Sequence, residues 1–266
     1  MTPSSTHLVL IPSYNPGPRL LSTVRAALAQ WSPVWVVTDG STDDSTAAIQ
    51  ALATTEPHLR VFVRPANGGK GAAVHTAATA ALAAGFTHAL VLDADGQHPE
   101  DRIAEFMAAS AATPAALIAG QPIFGPEAPK IRLYGRLLSV GLVHLETRGR
   151  IIADPLFGFR VYPLTPLVTA LHSTRGARRY DFDPEVAVRL IWAGVPVRNI
   201  SATCRYLTQA EGGISHFHYL RDNLRMIWLH TRLLAELLLR LRPPFVSLPY
   251  FVGSLRKIRV HPRHPR

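Results

Sequence analysis

The chain predicts an α/β fold, a mostly parallel central sheet with helices on both faces, and three observations carry that prediction. Four short Val- and Leu-rich runs fall in the first hundred residues, they alternate with stretches of helical spacing, and the connections between them are short. Strand, helix and strand in that order imply right-handed crossovers between parallel strands. At 266 residues and 47% hydrophobic the chain can bury a sizeable core, and 17% charged residues is a globular composition.

Each element follows from its residues. "HLVLIP" (7–12), "VWVVTD" (34–39), "LRVFVR" (59–64) and "HALVLDAD" (88–95) read as buried strands, with helical spacing at 18–30, 44–54 and 70–84. "GQPIFGPEAPK" (120–130) reads as a Pro- and Gly-rich connector before a helical stretch at 131–147. "DPLFGFRVYP" (154–163) reads as a turn and a strand, 183–193 as a helix and "VPVRNISATCRYL" (195–207) as a strand. The longest helical candidate is 217–241. At about 100° per residue, Arg221, Asp222, Arg225, Arg232, Glu236 and Arg240 share an arc. Leu220, Leu224, Ile227, Leu234, Leu238 and Leu241 lie opposite, widened by Met226, Leu233 and Leu237. "RPP" at 242–244 ends it. The expected division is a domain over 1–210 and an extension over 211–266 of loop, amphipathic helix and basic tail.

Composition excludes several classes. A single cysteine, Cys204, excludes an internal disulfide and a cysteine zinc cluster, and fits a reducing compartment. No stretch approaches the roughly 18 apolar residues of a membrane span. "MTPSSTHLVLIPSYN" has no basic region before its apolar run, so no secretory signal is expected. The net charge of +10 points to an anionic partner, and the arginine excess builds after Lys130. No recognised nucleic-acid module accompanies it, so nucleic acid is not the expected partner.

In such sheets ligands gather at the carboxyl ends of the strands, where this chain reads "PSYN", "DGSTDDST", "RPANGGKG" and "DADGQHP". Asp93, Asp95 and Gln97 alternate, so they can share a side at a strand end. Two carboxylates so placed repel unless a divalent cation neutralises them, and Mg²⁺ or Mn²⁺ is held by one or two carboxylates plus phosphate oxygens. Pro99, Glu100 and Asp101 read instead as a helix entry. Asp39, at a strand tip, can hydrogen-bond a ribose or a nucleobase N–H, with Asp44 or Thr46 as a helix cap. "NGGKGAA" (67–73) allows close backbone approach and opens a helix whose N-terminus favours an anion, with the charge of Lys70 beside it. It is not a P-loop, because Gly71 and not Ser or Thr follows Lys70.

Together "IPSYN", "VVTDGSTDDST", "NGGKGAAVHTA", "LVLDADGQHPED" and "DPLFGFRVY" resemble, in order and spacing, the family-2 glycosyltransferases of GT-A fold over roughly residues 7–205. "DADGQHP" with the later "GFR" is most similar to the dolichol-phosphate mannose synthase-like branch, and "GGISHFHYLRDN" (212–223) resembles a tail of aryl-polyene cluster glycosyltransferases. The resemblance implies a metal-dependent, inverting transferase with a nucleoside-diphosphate-sugar donor. The donor pocket would map to Pro12, Tyr14, Asn15, Asp39 and Asp93, with Asn67 and Lys70 in the same binding set. Asp93, Asp95 and Gln97 would hold Mg²⁺ or Mn²⁺, and Asp95 and Asp154 would be catalytic. The chain departs from the pattern at Pro16, where many relatives have an acid, at Thr38, where many have the first of two acids, and at "GQP" (120–122), where a basic "G-S-R" is expected.

The acceptor side is expected in the second half. Asp154 is a general base toward a hydroxyl, a positioning group toward a lipid phosphate, or a turn residue before Pro155. Lys130, Arg132 and Arg136 are cationic substitutes for the missing basic segment, or a solvated helix face. Arg160 faces a phosphate or pairs with Asp154, Asp183 caps a helix, and Glu185 lies near the acceptor. His216 and Arg221 touch the diphosphate from a closing loop. The helix at 217–241 packs on its own domain or lies in a membrane interface, and with Phe245, Leu248, Tyr250 and Phe251 among basic residues it suits an acidic leaflet. A lipid or lipid-phosphate acceptor and a peripheral position at the inner face of the cell membrane are therefore expected. The alternatives are a sugar nucleotidyltransferase, whose basic Gly-rich loop "PSYNPGPRL" matches poorly, and a non-catalytic nucleotide-sugar-binding, membrane-docking protein. Oligomeric state is not legible.

Overall fold

Every residue of β1 (His7–Ser13), β2 (Val34–Asp39) and β4 (His88–Val91) is buried, as continuous apolar runs must be in a parallel sheet covered on both faces. The structure, a computed structural model, describes residues 2–125, 130–150, 152–205 and 219–241. Its other strands are β3 (Leu59–Arg64), β5 (Leu117–Phe124), β6 (Arg160–Pro163) and β7 (Val197–Cys204). The seven strands form one sheet in the order β3-β2-β1-β4-β6-β5-β7. Only β6 runs antiparallel to its neighbours.

The period of two in β1 sorts the core into two layers. Leu8 and Leu10 join a cluster with α3 (Lys70–Ala83), α6 (Leu164–His172) and α7 (Phe182–Trp192). Val9 and Ile11 join another with α1 (Arg19–Gln30), α2 (Ser45–Ala53) and α4 (Ile103–Ala112). The reversed β6 matters for function. Its first residue, Arg160, pairs with Val91 and Ala119, so the turn at 154–159 is delivered to the carboxyl edge of the parallel strands.

Several boundaries differ from the sequence expectation. β4 stops at Val91, so Asp93 and Asp95 lie in a turn beyond the strand. Residues 120–124 are no connector: they continue β5 and pair with β7 from Gly120–Ile200 to Phe124–Cys204. Pro122 is tolerated there because the β5 segment beyond β6 is an edge with one open side. The helix entry read at Pro99 opens a short 3-10 turn, Glu100–Arg102, that leads into α4; α6 was not expected, and Pro166 inside its first turn disguises its spacing. The expected boundary at 210 lies outside the described residues.

Two long helices complete the fold, α5 (Lys130–Glu146) and α8 (Tyr219–Leu241), and they pack on each other. The apolar residues of α8 divide between two opposite faces. Leu229, Leu233 and Leu237 are buried, while Leu220, Leu224, Ile227, Trp228 and Leu238 are exposed. Burial of the inner row holds α8 to the core; the outer row has no partner among the described residues. No helix among the described residues is long and apolar enough to cross a membrane.

Candidate active site

The polar ends of β1, β2 and β4, the start of β6 and the start of α7 meet at one edge of the sheet. Lys70, the first residue of α3, places its Nζ 2.7 Å from Asp93 Oδ1 and 2.8 Å from Asp183 Oδ2. Burial opposes the charge on Lys70, yet the two carboxylates hold its pKa well above the usual lysine value. Burial likewise opposes ionisation of Asp93, and Lys70 outweighs it, keeping that carboxyl below the usual range. Asp95 has the opposite sense: burial and the charge of Asp93 push it up. Its Oδ1 accepts the backbone N–H of Gln97 at 3.0 Å. Gly158 of "FGFR" roofs this cluster. A Cβ there would stand 2.4 Å from Lys70 Nζ and 3.1 Å from Asp93 Oδ2.

The glycine loop before α3 has an internal anion. Gly68 and Gly69 donate their N–H groups to the two oxygens of Asp39 at 3.1 and 2.6 Å, and Arg64 Nε lies 2.7 Å from Oδ1. Gly71 N–H is taken by the carbonyl of Arg178 at 2.9 Å. The anion expected at this helix N-terminus is thus Asp39 itself, 2% exposed and presenting no free carboxylate. Asn67 accepts Arg179 Nη1 at 2.9 Å. Asn15, in a left-handed conformation at φ 44°, bonds Thr42 N–H through Oδ1 at 2.7 Å and so ties the end of β1 to the end of β2. Pro12 is buried and Tyr14 is 36% exposed beside it. Asp44 holds the N-cap position of α2 without a side-chain bond; Asp43 makes the bonds instead, to Ser45 and to Gly17 N–H.

Asp154 is buried, and Oδ1 accepts Leu156 N–H at 2.8 Å, Phe157 N–H at 3.1 Å and Arg136 Nη1 at 2.8 Å. Arg136 is therefore bound to the site and is no solvated face. Arg160 corrects its expectation: fully buried, it donates to the carbonyls of Asp154 and Asp183 at 3.1 and 2.8 Å and to Tyr162 Oη at 3.3 Å. It faces no surface from which a phosphate could reach it. It holds the turn against α7.

Asp183 and Glu185 exchange their expected places. Asp183 is not a cap but a member of the Lys70 cluster. Glu185 does not approach the cluster; it bonds Thr174, Arg189 and Arg232 at 2.6, 2.9 and 2.6 Å, and the network continues through Arg189 to Glu236 of α8. Arg221 is exposed on α8, its Nε 3.5 Å from Asp222. Arg132 lies in the first turn of α5, but its side chain, together with His216 and the aromatic tail residues, lies outside the described residues.

Two members of the site were missed in the sequence. His98 is buried edge-on to Phe157 and Phe159; its Nδ1 accepts the N–H of Asp93 at 3.1 Å, which leaves Nε2 3.7 Å from Asp93 Oδ2. The alternation of 93, 95 and 97 drew attention past it. Tyr180 is pushed up to about 12 by burial, by Asp222 and by Asp93, so one phenol neighbours both the acid cluster and the start of α8.

For a divalent cation, Asp93 and Asp95 are a suitable but open pair: burial and then the charge of Asp93 raise Asp95, and no set of three or more ligating His, Cys, Asp or Glu side chains occurs among the described residues. Such a pair fits an ion whose remaining positions come from phosphate oxygens and water.

Comparison with known proteins fits this geometry. The sequence profile of glycosyl transferase family 2 matches residues 8–162, more than half of the chain. The chain belongs to glycosyl transferase family 2. This family-2 glycosyltransferase is 28% identical to polyprenol monophosphomannose synthase of Mycolicibacterium smegmatis over 229 residues, 80% of this chain and 81% of that protein. Its fold is that of glucosyl-3-phosphoglycerate synthase from Mycobacterium tuberculosis, with TM-score 0.59 at 18% identity over 91% of this chain and 82% of that one. The same synthase bound to Mn²⁺, uridine-diphosphate-glucose and phosphoglyceric acid gives TM-score 0.57 at 17% identity, covering 89% and 80%. Mannosyl-3-phosphoglycerate synthase of Rubrobacter xylanophilus gives 0.57 at 17% identity, covering 91% and 78%. These structures establish the GT-A architecture.

Proposed function

We propose that this glycosyltransferase moves a sugar, with inversion, from a nucleoside diphosphate to a lipid phosphate of the polyprenyl phosphate class at the inner, acidic face of the cell membrane. One observation carries the choice of acceptor. The helices that flank the acid cluster, α5 through Arg136 and α8 through the neighbourhood of Tyr180, expose Tyr134, Leu137 and Leu138 on one and Leu220, Leu224, Ile227 and Trp228 on the other. A water-soluble acceptor asks for no such surface, whereas a lipid acceptor must be met at a membrane. The likeness to a polyprenol monophosphomannose synthase supports the same reading.

In this reading Asp93, Asp95 and Gln97 hold Mg²⁺ or Mn²⁺, which when bound supplies Lewis-acid stabilisation of the departing nucleoside diphosphate. Tyr14, Asn15 and Pro12 line the nucleoside end, with Asp39 fixing the loop that carries Asn67 and Lys70. Lys70 keeps its charge and adds a fixed positive centre next to the diphosphate. An acceptor phosphate oxygen attacks the anomeric carbon from the face opposite the leaving group. It is already anionic, so Asp154 is needed to position and not to deprotonate it. The three N–H donors on Asp154 Oδ1 suit that role, since they fix the carboxylate in one orientation.

The test is a thermal-shift screen of UDP-, GDP- and dTDP-sugars with Mn²⁺, followed by transfer assays with the best donor to polyprenyl phosphate and to the corresponding alcohol. Product from the phosphate alone supports the proposal. Product from the alcohol alone, or pyrophosphate release from a nucleoside triphosphate with no sugar transfer, contradicts it.

A further inference from the structure

At the ends of α5 and α8 away from the acid cluster lies a cavity of about 420 Å³ lined by Thr147, Arg148, Arg150, Trp192, Leu237 and Arg240. Two of its three cations are held in place. Arg150 Nη1 donates to the carbonyl of Ile191 at 3.1 Å, and the Arg240 guanidinium lies 4.5 Å from the centroid of the Trp192 ring. Trp192 is fixed in turn by its Nε1–H bond to the carbonyl of Glu146 at 2.9 Å. Arg148 sits at φ 56°, a conformation uncommon outside glycine, just before Gly149 at φ 75°. None of the three arginines pairs with a carboxylate among the described residues. Glu236, one turn before Arg240, is spent on Arg189 at 3.0 Å.

Three guanidiniums around one cavity, with no carboxylate partner among the described residues, call for a multivalent anion, and planar N–H forks match phosphate oxygens. The surroundings select its source. Leu145 on α5 and Leu238 and Leu239 on α8, all at least 60% exposed, border the cavity in sequence and extend the same outward apolar row. Apolar side chains beside a phosphate-binding cavity suit a molecule whose phosphate carries acyl chains.

We propose that Arg148, Arg150 and Arg240 form a second anion site, distinct from the donor site, that binds the phosphate of an acidic membrane lipid and anchors the far end of the α5–α8 face. This inference rests on the membrane-docking part of the proposed function, but not on the identity of the sugar or the acceptor. With the apolar row inserted along its length and the arginines seated on headgroups at one end, the mouth of the acid cluster is held at the opposite end of the same face.

The experiment is co-sedimentation of the full chain with vesicles of phosphatidylcholine alone or with phosphatidylglycerol. It compares the wild type, R148Q/R240Q, whose side chains make no hydrogen bond among the described residues, and R25Q/R198Q, which loses the same charge on α1 and β7. The wild type should prefer the acidic vesicles, R148Q/R240Q should lose that preference by about 30-fold while keeping its weaker binding to phosphatidylcholine, and R25Q/R198Q should keep most of it. Equal losses in both variants would assign the effect to bulk charge and overturn the site. Tight binding of glycerol 1-phosphate that R148Q/R240Q abolishes, with no change in vesicle preference, would assign the cavity to a soluble phosphate and overturn the lipid reading. If no vesicle binds the wild type, the docking reading itself fails, and donor turnover in detergent shows separately whether the transferase reading stands.

Discussion

Lys70 and Asp183 are separated by 113 residues and meet at 2.8 Å, with the same ammonium 2.7 Å from Asp93. One side chain thus joins the head of α3, the head of α7 and the turn after β4. Without it two carboxylates face each other in a half-buried cleft. Lys70→Met should lower unfolding free energy by about 2 kcal/mol, read by urea titration, and reduce donor turnover. A variant of wild-type stability would mean that the cluster is solvated in solution and that Lys70 does not organise it.

Gly158 makes a sharper probe, because the atom its substitution meets is the tip of a flexible side chain. In Gly158→Ala the new methyl must displace the Lys70 ammonium, 2.4 Å from the ideal Cβ position, and crowd Asp93 Oδ2. The expected outcome is a thermal midpoint within a few degrees of wild type with turnover reduced roughly 100-fold, the scale on which a charged group misplaced by about 1 Å acts. Full activity would show that Lys70 has no fixed place in the reaction.

Glu185 ties α7 to α8 and sets a pH dependence. Burial alone would raise its pKa; its bonds to Thr174, Arg232 and Arg189 outweigh burial and hold it below the ordinary 4.5. A depressed carboxyl stabilises the fold fully above that ordinary value and loses its contribution as the pH falls through the folded value. Glu185→Gln should therefore cost about 3 kcal/mol at pH 7, the penalty for leaving Arg189 and Arg232 without their partner, and should flatten the stability curve below pH 4.5. Parallel curves for the two proteins in acid would remove Glu185 from the account.

The two faces of α8 should respond differently. Leu233→Ala opens a cavity at a fully buried position and should cost about 2–5 kcal/mol. Leu224→Ser with Ile227→Ser should leave the thermal midpoint nearly unchanged, because both side chains are more than half exposed, yet abolish vesicle binding. Trp228, 67% exposed on the same row, should shift its fluorescence to the blue on vesicle addition. A Trp228 signal indifferent to vesicles would contradict membrane contact by this face.

The strands and the acid-rich edge were legible because their signals are local. A buried parallel strand is an uninterrupted apolar run, and its functional end is the polar stretch that follows, as in "LVLDADGQHP". What stayed hidden depends on partners distant in sequence. Asp183 and Glu185 both sit in the first turn of one helix, and only the positions of Lys70 and Arg232 decide which serves the site and which serves α8. The role of Asp39 turned on a loop about 30 residues later, and that of Arg160 on being buried between two carbonyls. On α8 the helical period identified an apolar side, but 226, 229, 233 and 237 face the core and 220, 224, 227 and 238 face away. An angular plot pools such residues, since it does not know where the domain lies.

Asp95, raised by burial and by its neighbour Asp93, is proposed to help hold a cation against a departing nucleoside diphosphate during transfer to a lipid. The most direct measurement is Mn²⁺-dependent formation of polyprenyl-phosphate sugar by the wild type and by Asp95→Ala at matched folded concentration. Labelled lipid is expected from the wild type and a loss of roughly 100-fold or more from the variant, with an unchanged circular dichroism spectrum. Equal product from both proteins, or product indifferent to chelation of the metal, would contradict it.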